Sequence, residues 1–157
     1  MKKFLYFLTV VLLAVGLTAC FGSGNVAKFS IGIINQKGTT SLVLTPDYAK
    51  RTFSVDYKKD STDKLQKSVT ASGQMGGEYF DRFESMSKVV ENYTKSSAKN
   101  EVLPVDVSAD RLKSIVEGKD KTISTMEVPL DDASTSVQDM KTFYNDIVKL
   151  LTAAAPV

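Results

Sequence analysis

Gly73-Gln74-Met75-Gly76-Gly77-Glu78-Tyr79-Phe80-Asp81-Arg82-Phe83 is the stretch where the chain changes its hydrophobic period, and that change decides the fold class. Downstream of the glycines, Tyr79, Phe80, Phe83, Met86, Val90 and Tyr93 recur at three- and four-residue spacing, while Glu78, Asp81, Glu84, Lys88 and Lys95 fall elsewhere. This predicts an amphipathic helix over residues 78–96. Its acidic residues come early and its lysines late, as the helix dipole favours. Upstream the period is two. Between residues 51 and 58, Phe53, Val55 and Tyr57 alternate with Thr52, Ser54, Asp56 and Lys58, the mark of a strand with one wet face.

Further upstream, the apolar, β-branched run around Phe29, Ile31, Ile33 and Ile34 predicts a first strand over residues 27–36. A second strand covers 41–45 and is closed by the turn pair Pro46-Asp47. The polar residues 59–64 suit a loop. Leu65, Lys67, Val69 and Ala71 then alternate with Gln66, Ser68 and Thr70 in a weaker fourth strand, which Gly73, Gly76 and Gly77 are expected to end.

Beyond the helix, Val102-Leu103-Pro104-Val105-Asp106-Val107 reads as a strand. Ser108 is placed to cap a short helix carrying Leu112, Ile115 and Val116 and ending at Gly118. Residues 123–130 form another strand, with Met126, Val128 and Leu130 on one face and Pro129 arguing for an edge. A last helix starts near Ser134 or Ser136, where Ser136 and Asp139 have capping-box spacing. Its stripe is Val137, Met140, Tyr144, Ile147, Val148 and Leu151, and it frays after residue 152. Strands first, then mixed elements, predict one α+β domain over residues 27–157. It is a largely antiparallel meander followed by an amphipathic helix and then mixed strand and helix, with the helices on one sheet face.

The N-terminus carries a separate message. Met1-Lys2-Lys3 precedes an uncharged apolar run that ends at Ala19, about 16 residues long and short of the roughly 20 that span a bilayer. That is the pattern of an export signal over residues 1–19 that is removed. Leu17-Thr18-Ala19-Cys20 resembles the lipobox of bacterial lipoprotein precursors. The resemblance implies cleavage between Ala19 and Cys20, a diacylglyceryl group on the Cys20 sulfur, and attachment to a bacterial membrane through acyl chains. One acyl chain binds marginally and two bind stably. Residues 20–26, rich in glycine and serine, form a flexible tether reaching only about 20 Å. Phe21 stands where an aspartate favours retention in the inner membrane of enteric-type bacteria. The resemblance therefore implies the outer membrane, facing the periplasm, for a Gram-negative source.

Composition removes whole classes of chemistry. The chain has no histidine and one cysteine, and Cys20 is committed to the lipid. Ser-His-Asp and Cys-His nucleophilic sites, the usual zinc sites, haem ligation and redox thiols are all excluded on that basis. Losing Lys2 and Lys3 with the signal leaves equal numbers of basic and acidic residues, so no nucleic-acid partner is expected.

The remaining candidates are weak patterns. Ser85 and Lys88 have the S-x-x-K spacing of penicillin-binding enzymes, but Ser61/Lys64 and Ser96/Lys99 repeat it, and no S-D-N or K-T-G element accompanies it. Asp56, Asp60 and Asp63 could gather around a cation, yet Lys58, Lys59 and Lys64 compete for them and the EF-hand glycine and glutamate are missing. Asp131-Asp132 reads as helix-start charge. Gly22, Gly24 and the Gly73, Gly76, Gly77 group lack a phosphate-loop pattern. Tyr79, Phe80 and Phe83 at helical spacing are expected in the core.

No catalytic, metal or cofactor site is expected. The expectation is a non-enzymatic envelope lipoprotein whose domain binds a protein, as an accessory subunit of an envelope assembly. An inhibitor or immunity-type lipoprotein against a toxin or lytic enzyme, or a carrier for a small or lipidic ligand, is the alternative. A protein binder would show an exposed apolar patch of several hundred Å², and a carrier an enclosed apolar pocket.

Overall fold

The computed structural model of the chain describes residues 24–36, 38–61, 69–97 and 110–154. The signal expected over residues 1–19, Cys20, Asp63 and the strand expected over 102–107 lie outside the described residues. Four strands come first: β1 (Val26–Asn35), β2 (Gly38–Asp47), β3 (Thr52–Ser61) and β4 (Val69–Gly76). Helix α1 (Glu78–Ser97) follows, then β5 (Arg111–Gly118), β6 (Ile123–Pro129) and helix α2 (Thr135–Ala154). All neighbouring strands are antiparallel, in the order β4-β3-β2-β1-β5-β6. The fold is α+β, with both helices on one face of the sheet.

The alternation in β3 is carried through the sheet by register. Phe53, Val55 and Tyr57 are buried while Ser54, Asp56 and Lys58 are exposed. Val55 pairs with Leu44, which pairs with Phe29, which pairs with Val116. That row lies under the helices, and burying such side chains contributes roughly 1.5–3 kcal/mol each. From α1, Phe80, Phe83, Met86 and Val90 come down onto it. Phe83 stacks on Phe53 with ring centroids 5.5 Å apart, and Phe143 of α2 meets the same Phe53 edge-on at 6.4 Å.

Connectivity makes α1 a crossover. β4 ends at one margin of the sheet, but β5 pairs with β1, so the chain between them must pass over the strands. Arg82 of α1 ties the two helices together. Its guanidinium donates to Asp146 Oδ2 at 2.8 Å and lies 5.2 Å above the Phe143 ring.

Three expectations are corrected. Leu112, Ile115 and Val116 do not lie on a helix, because Arg111–Gly118 is strand β5; Ser108, the expected cap, lies outside the described residues. Leu112, Ser114 and Val116 are buried, whereas Ile115 points to the opposite, open face. The helical spacing of Leu112, Ile115 and Val116 thus joined residues from two faces, and a buried serine interrupted the apolar alternation. Pairing with β1 overrides that local pattern.

The second correction concerns Gly73 alone: β4 runs through it and ends at Gly76, beside Gly77, as expected of those two glycines. A Cβ at Gly73 would come within 2.7 Å of Leu151 Cδ2, so this glycine makes room for α2 and does not end a strand. The third is that β3 continues to Ser61, where a loop was expected from residue 59. The stripe of α2 also gains Phe143, which is fully buried, while Val148 is only half-buried.

Candidate functional site

The described residues line open clefts of about 350–360 Å³. One of them lies where the second half of α1, strand β6 and the start of α2 meet. Three elements remote in sequence meet there because α1 crosses to β6 and α2 begins just after it.

The floor of this cleft of about 350 Å³ is apolar: Val89 and Tyr93 from α1, Met126 and Val128 from β6, and Val137 from α2. The rim is polar, made of Asn92, Ser96, Ser134 and Ser136 together with one charged group among the described residues, Asp132. Asp132 is already engaged. Its carboxylate accepts the Ser134 backbone N–H at 2.7 Å, and hydrogen bonds from the Ser134 side chain and backbone hold it below the ordinary carboxylate pKa. Ser134 in turn caps α2, its carbonyl accepting the N–H groups of Val137 and Gln138 at 3.1 Å. The helix therefore starts from Ser134, the first of the two positions expected from sequence.

One wall of the cleft is fastened by side chain to backbone. The Thr94 hydroxyl oxygen accepts the Thr125 N–H at 2.8 Å and lies 3.0 Å from the Thr125 carbonyl, along the free edge of β6. The arrangement offers apolar contact surrounded by hydroxyl and amide groups and one carboxylate. Among the described residues its lining contains no lysine, and its one carboxylate, Asp132, is the group hydrogen-bonded to Ser134.

The candidates read from sequence fall elsewhere and are not brought together. Ser85 donates to the Asp81 carbonyl one turn back at 3.0 Å, and both Ser85 and Lys88 are exposed. Ser96 reaches the cleft rim, while Lys99 and Lys64 lie outside the described residues. Asp56 stands exposed on the open sheet face, and Asp60 is paired with Lys58 at 3.0 Å. Among the described residues, no three acidic, histidine or cysteine side chains are placed to hold a metal.

Phe80 and Phe83 are core residues, and Tyr79 is half-buried with the Arg82 guanidinium 5.6 Å from its ring. Gly77, with φ of 61°, caps α1, its carbonyl accepting the Phe80 N–H at 3.0 Å. Gly24 is exposed and has nothing against it. Sequence reasoning missed the cleft itself. The hint available was Asn92, Ser96 and Ser136, small polar residues beside otherwise apolar stripes.

No family model, no curated protein and no solved structure matches the chain.

Proposed function

We propose that this chain is a lipid-anchored bacterial envelope protein whose single α+β domain acts by binding another protein, without catalysis of its own. The observation that carries the reading is the cleft of about 350 Å³ between α1, β6 and α2, with an apolar floor and a rim of hydroxyl and amide groups and the Asp132 carboxylate. Such a surface suits one or two apolar side chains of a partner whose backbone hydrogen-bonds at the rim. The broad exposed apolar patch expected of a binder is absent among the described residues, where the exposed large hydrophobics are Val69, Ile123 and Leu150. The binding reading therefore rests on a pocketed contact. The cleft opens to solvent, which leaves the carrier alternative without support from it.

Two measurements test the reading. Cys20→Ala should abolish fatty-acid labelling and leave an unprocessed precursor; normal processing of that variant would sink the anchor. A photo-crosslinking residue at Asn92, exposed on the cleft rim, should capture one specific protein in cells, and Ser136→Trp should abolish that capture by filling the cleft. Capture that is unspecific, or indifferent to Ser136→Trp, removes the cleft as the binding site.

A further inference from the structure

One end of the sheet lies nearest Cys20. β1 starts at Val26, and the five residue steps from Cys20 to Asn25 reach at most about 18 Å. Antiparallel pairing sets the β2–β3 and β5–β6 turns at the end where β1 starts, whereas β3 ends, and β4 and β5 begin, at the opposite end. The β5–β6 turn is tied to the chain where it arrives, since the Lys119 N–H donates to the Asn25 carbonyl at 2.7 Å. The two turns differ in what they present. In the β2–β3 turn both cations are engaged by carboxylates, Lys50 by Asp47 at 3.0 Å and Arg51 by Asp81. In the β5–β6 turn the carboxylate is engaged instead: Asp120 accepts the Thr122 N–H and hydroxyl. Lys119 and Lys121 are exposed; the Lys119 ammonium stands 4.7 Å from the Tyr48 ring centroid, and Lys121 has no carboxylate partner among the described residues. Ile123 follows, 57% exposed against 43% and 44% for Val69 and Leu150. Register sets Ile123 beside Glu117 and, across it, exposed Lys28, so three lysines surround it against two carboxylates, one of them already hydrogen-bonded.

We propose, building on the Cys20 anchor proposed above, that the β5–β6 turn rests on the anionic surface of the bilayer that holds the acyl chains. Ile123 enters the headgroup layer, and Lys119, Lys121 and Lys28 meet lipid phosphates. Two features favour this occupant. The reach from Cys20 keeps Asn25, and the turn bonded to it, close to the headgroups whatever the conformation of the intervening chain. An exposed apolar side chain among lysines gains both from apolar burial and from the negative surface potential of anionic lipid. The contact also fixes an orientation that a flexible tether alone leaves open. β6 runs from Ile123 away from the bilayer, which carries Met126 and Val128, in the floor of the cleft, toward the aqueous side where a protein partner can reach them.

The test uses the full chain purified from membranes and reconstituted into vesicles of equal parts phosphatidylglycerol and phosphatidylcholine, beside vesicles of phosphatidylcholine alone. Acylation occupies the sulfur of Cys20, the only cysteine, so an introduced cysteine is the one free thiol. It is labelled with nitrobenzoxadiazole, whose emission shifts to the blue and rises severalfold in a bilayer. Ile123→Cys should show that shift with phosphatidylglycerol. Ala49→Cys, exposed on the β2–β3 turn at the same end, and Thr39→Cys, exposed at the opposite end, should keep aqueous emission. Adding Lys119→Gln and Lys121→Gln should reduce the Ile123→Cys shift to that seen with phosphatidylcholine alone. Aqueous emission at position 123, an equal shift at position 49, or a shift indifferent to both lipid charge and the two lysines overturns the proposal while the anchor stands. Labelling of the parent chain would show a free Cys20 thiol, and would sink the anchor and the membrane contact together.

Discussion

The Thr94 hydroxyl and the Thr125 backbone are joined twice: the oxygen accepts the Thr125 N–H at 2.8 Å, and it stands 3.0 Å from the Thr125 carbonyl. The single hydroxyl proton is shared with the Val90 carbonyl one turn back, also at 3.0 Å. A helix residue thereby completes the hydrogen bonding of an edge strand. Thr94→Val keeps the shape and removes the partner, leaving a part-buried N–H unsatisfied, so it should cost about 1–3 kcal/mol in urea denaturation. Thr94→Ser should recover most of that. Amide exchange at Thr125 should quicken in the valine variant alone; equal exchange in both would show that the hydroxyl contributes nothing.

The β5–β6 connection offers a backbone test. Lys121 adopts φ of 66°, its N–H donating to the Gly118 carbonyl at 2.9 Å, while Asp120 accepts the Thr122 N–H and hydroxyl. A lysine in the left-handed region bears a steric cost that glycine avoids, although glycine orders at a larger entropic loss. Lys121→Gly should therefore raise stability by up to about 1 kcal/mol, and Lys121→Val should lower it. A valine variant as stable as the parent in chemical denaturation would contradict the assigned backbone.

How much could be read from sequence depended on whether the cause was local. β3 and α1 were legible because Phe53, Val55 and Tyr57, and Phe80, Phe83, Met86 and Val90, write their periods in adjacent residues. β5 was not, because Ser114 fills a buried position that an apolar residue would have marked, and Ile115 lies on the other face. The part played by Gly73 depends on Leu151, far along the chain, and no window around the glycine contains it. The cleft was illegible for the same reason. Val89, Met126 and Val137 become neighbours only through the crossover of α1.

Gly73 and Leu151 form a pair whose coupling can be measured. A methyl group at Gly73 would lie 2.7 Å from Leu151 Cδ2, below any real contact distance. Gly73→Ala should thus destabilise by about 1–3 kcal/mol through overpacking, despite alanine's lower unfolded-state entropy. Leu151→Ala alone opens a cavity and should cost about 2–5 kcal/mol. In the double variant the new methyl occupies part of that space, so the combined loss should be smaller than the sum of the two. Additive losses would mean the helix shifts freely over β4.

Tyr144 links the core to alkaline pH. It is buried, and burial raises its phenol to about 12 in the fold, against about 10 for an exposed tyrosine. Burial likewise raises Tyr48 to about 12. Below about pH 10 both groups are protonated in folded and unfolded chains alike, and their contribution is fully present. Between about 10 and 12 the unfolded chain releases its protons while the fold retains them, so stability falls as pH rises through that window. The loss attributable to Tyr144 is on the order of 2 kcal/mol. Tyr144→Phe should flatten the fall in stability between pH 10 and 12 by about that amount, read by denaturation at fixed pH steps with tyrosinate absorbance followed in parallel. Tyrosinate appearing near pH 10 in the folded protein, with no change of slope in the phenylalanine variant, would show that the ring is solvated and not held beneath α2.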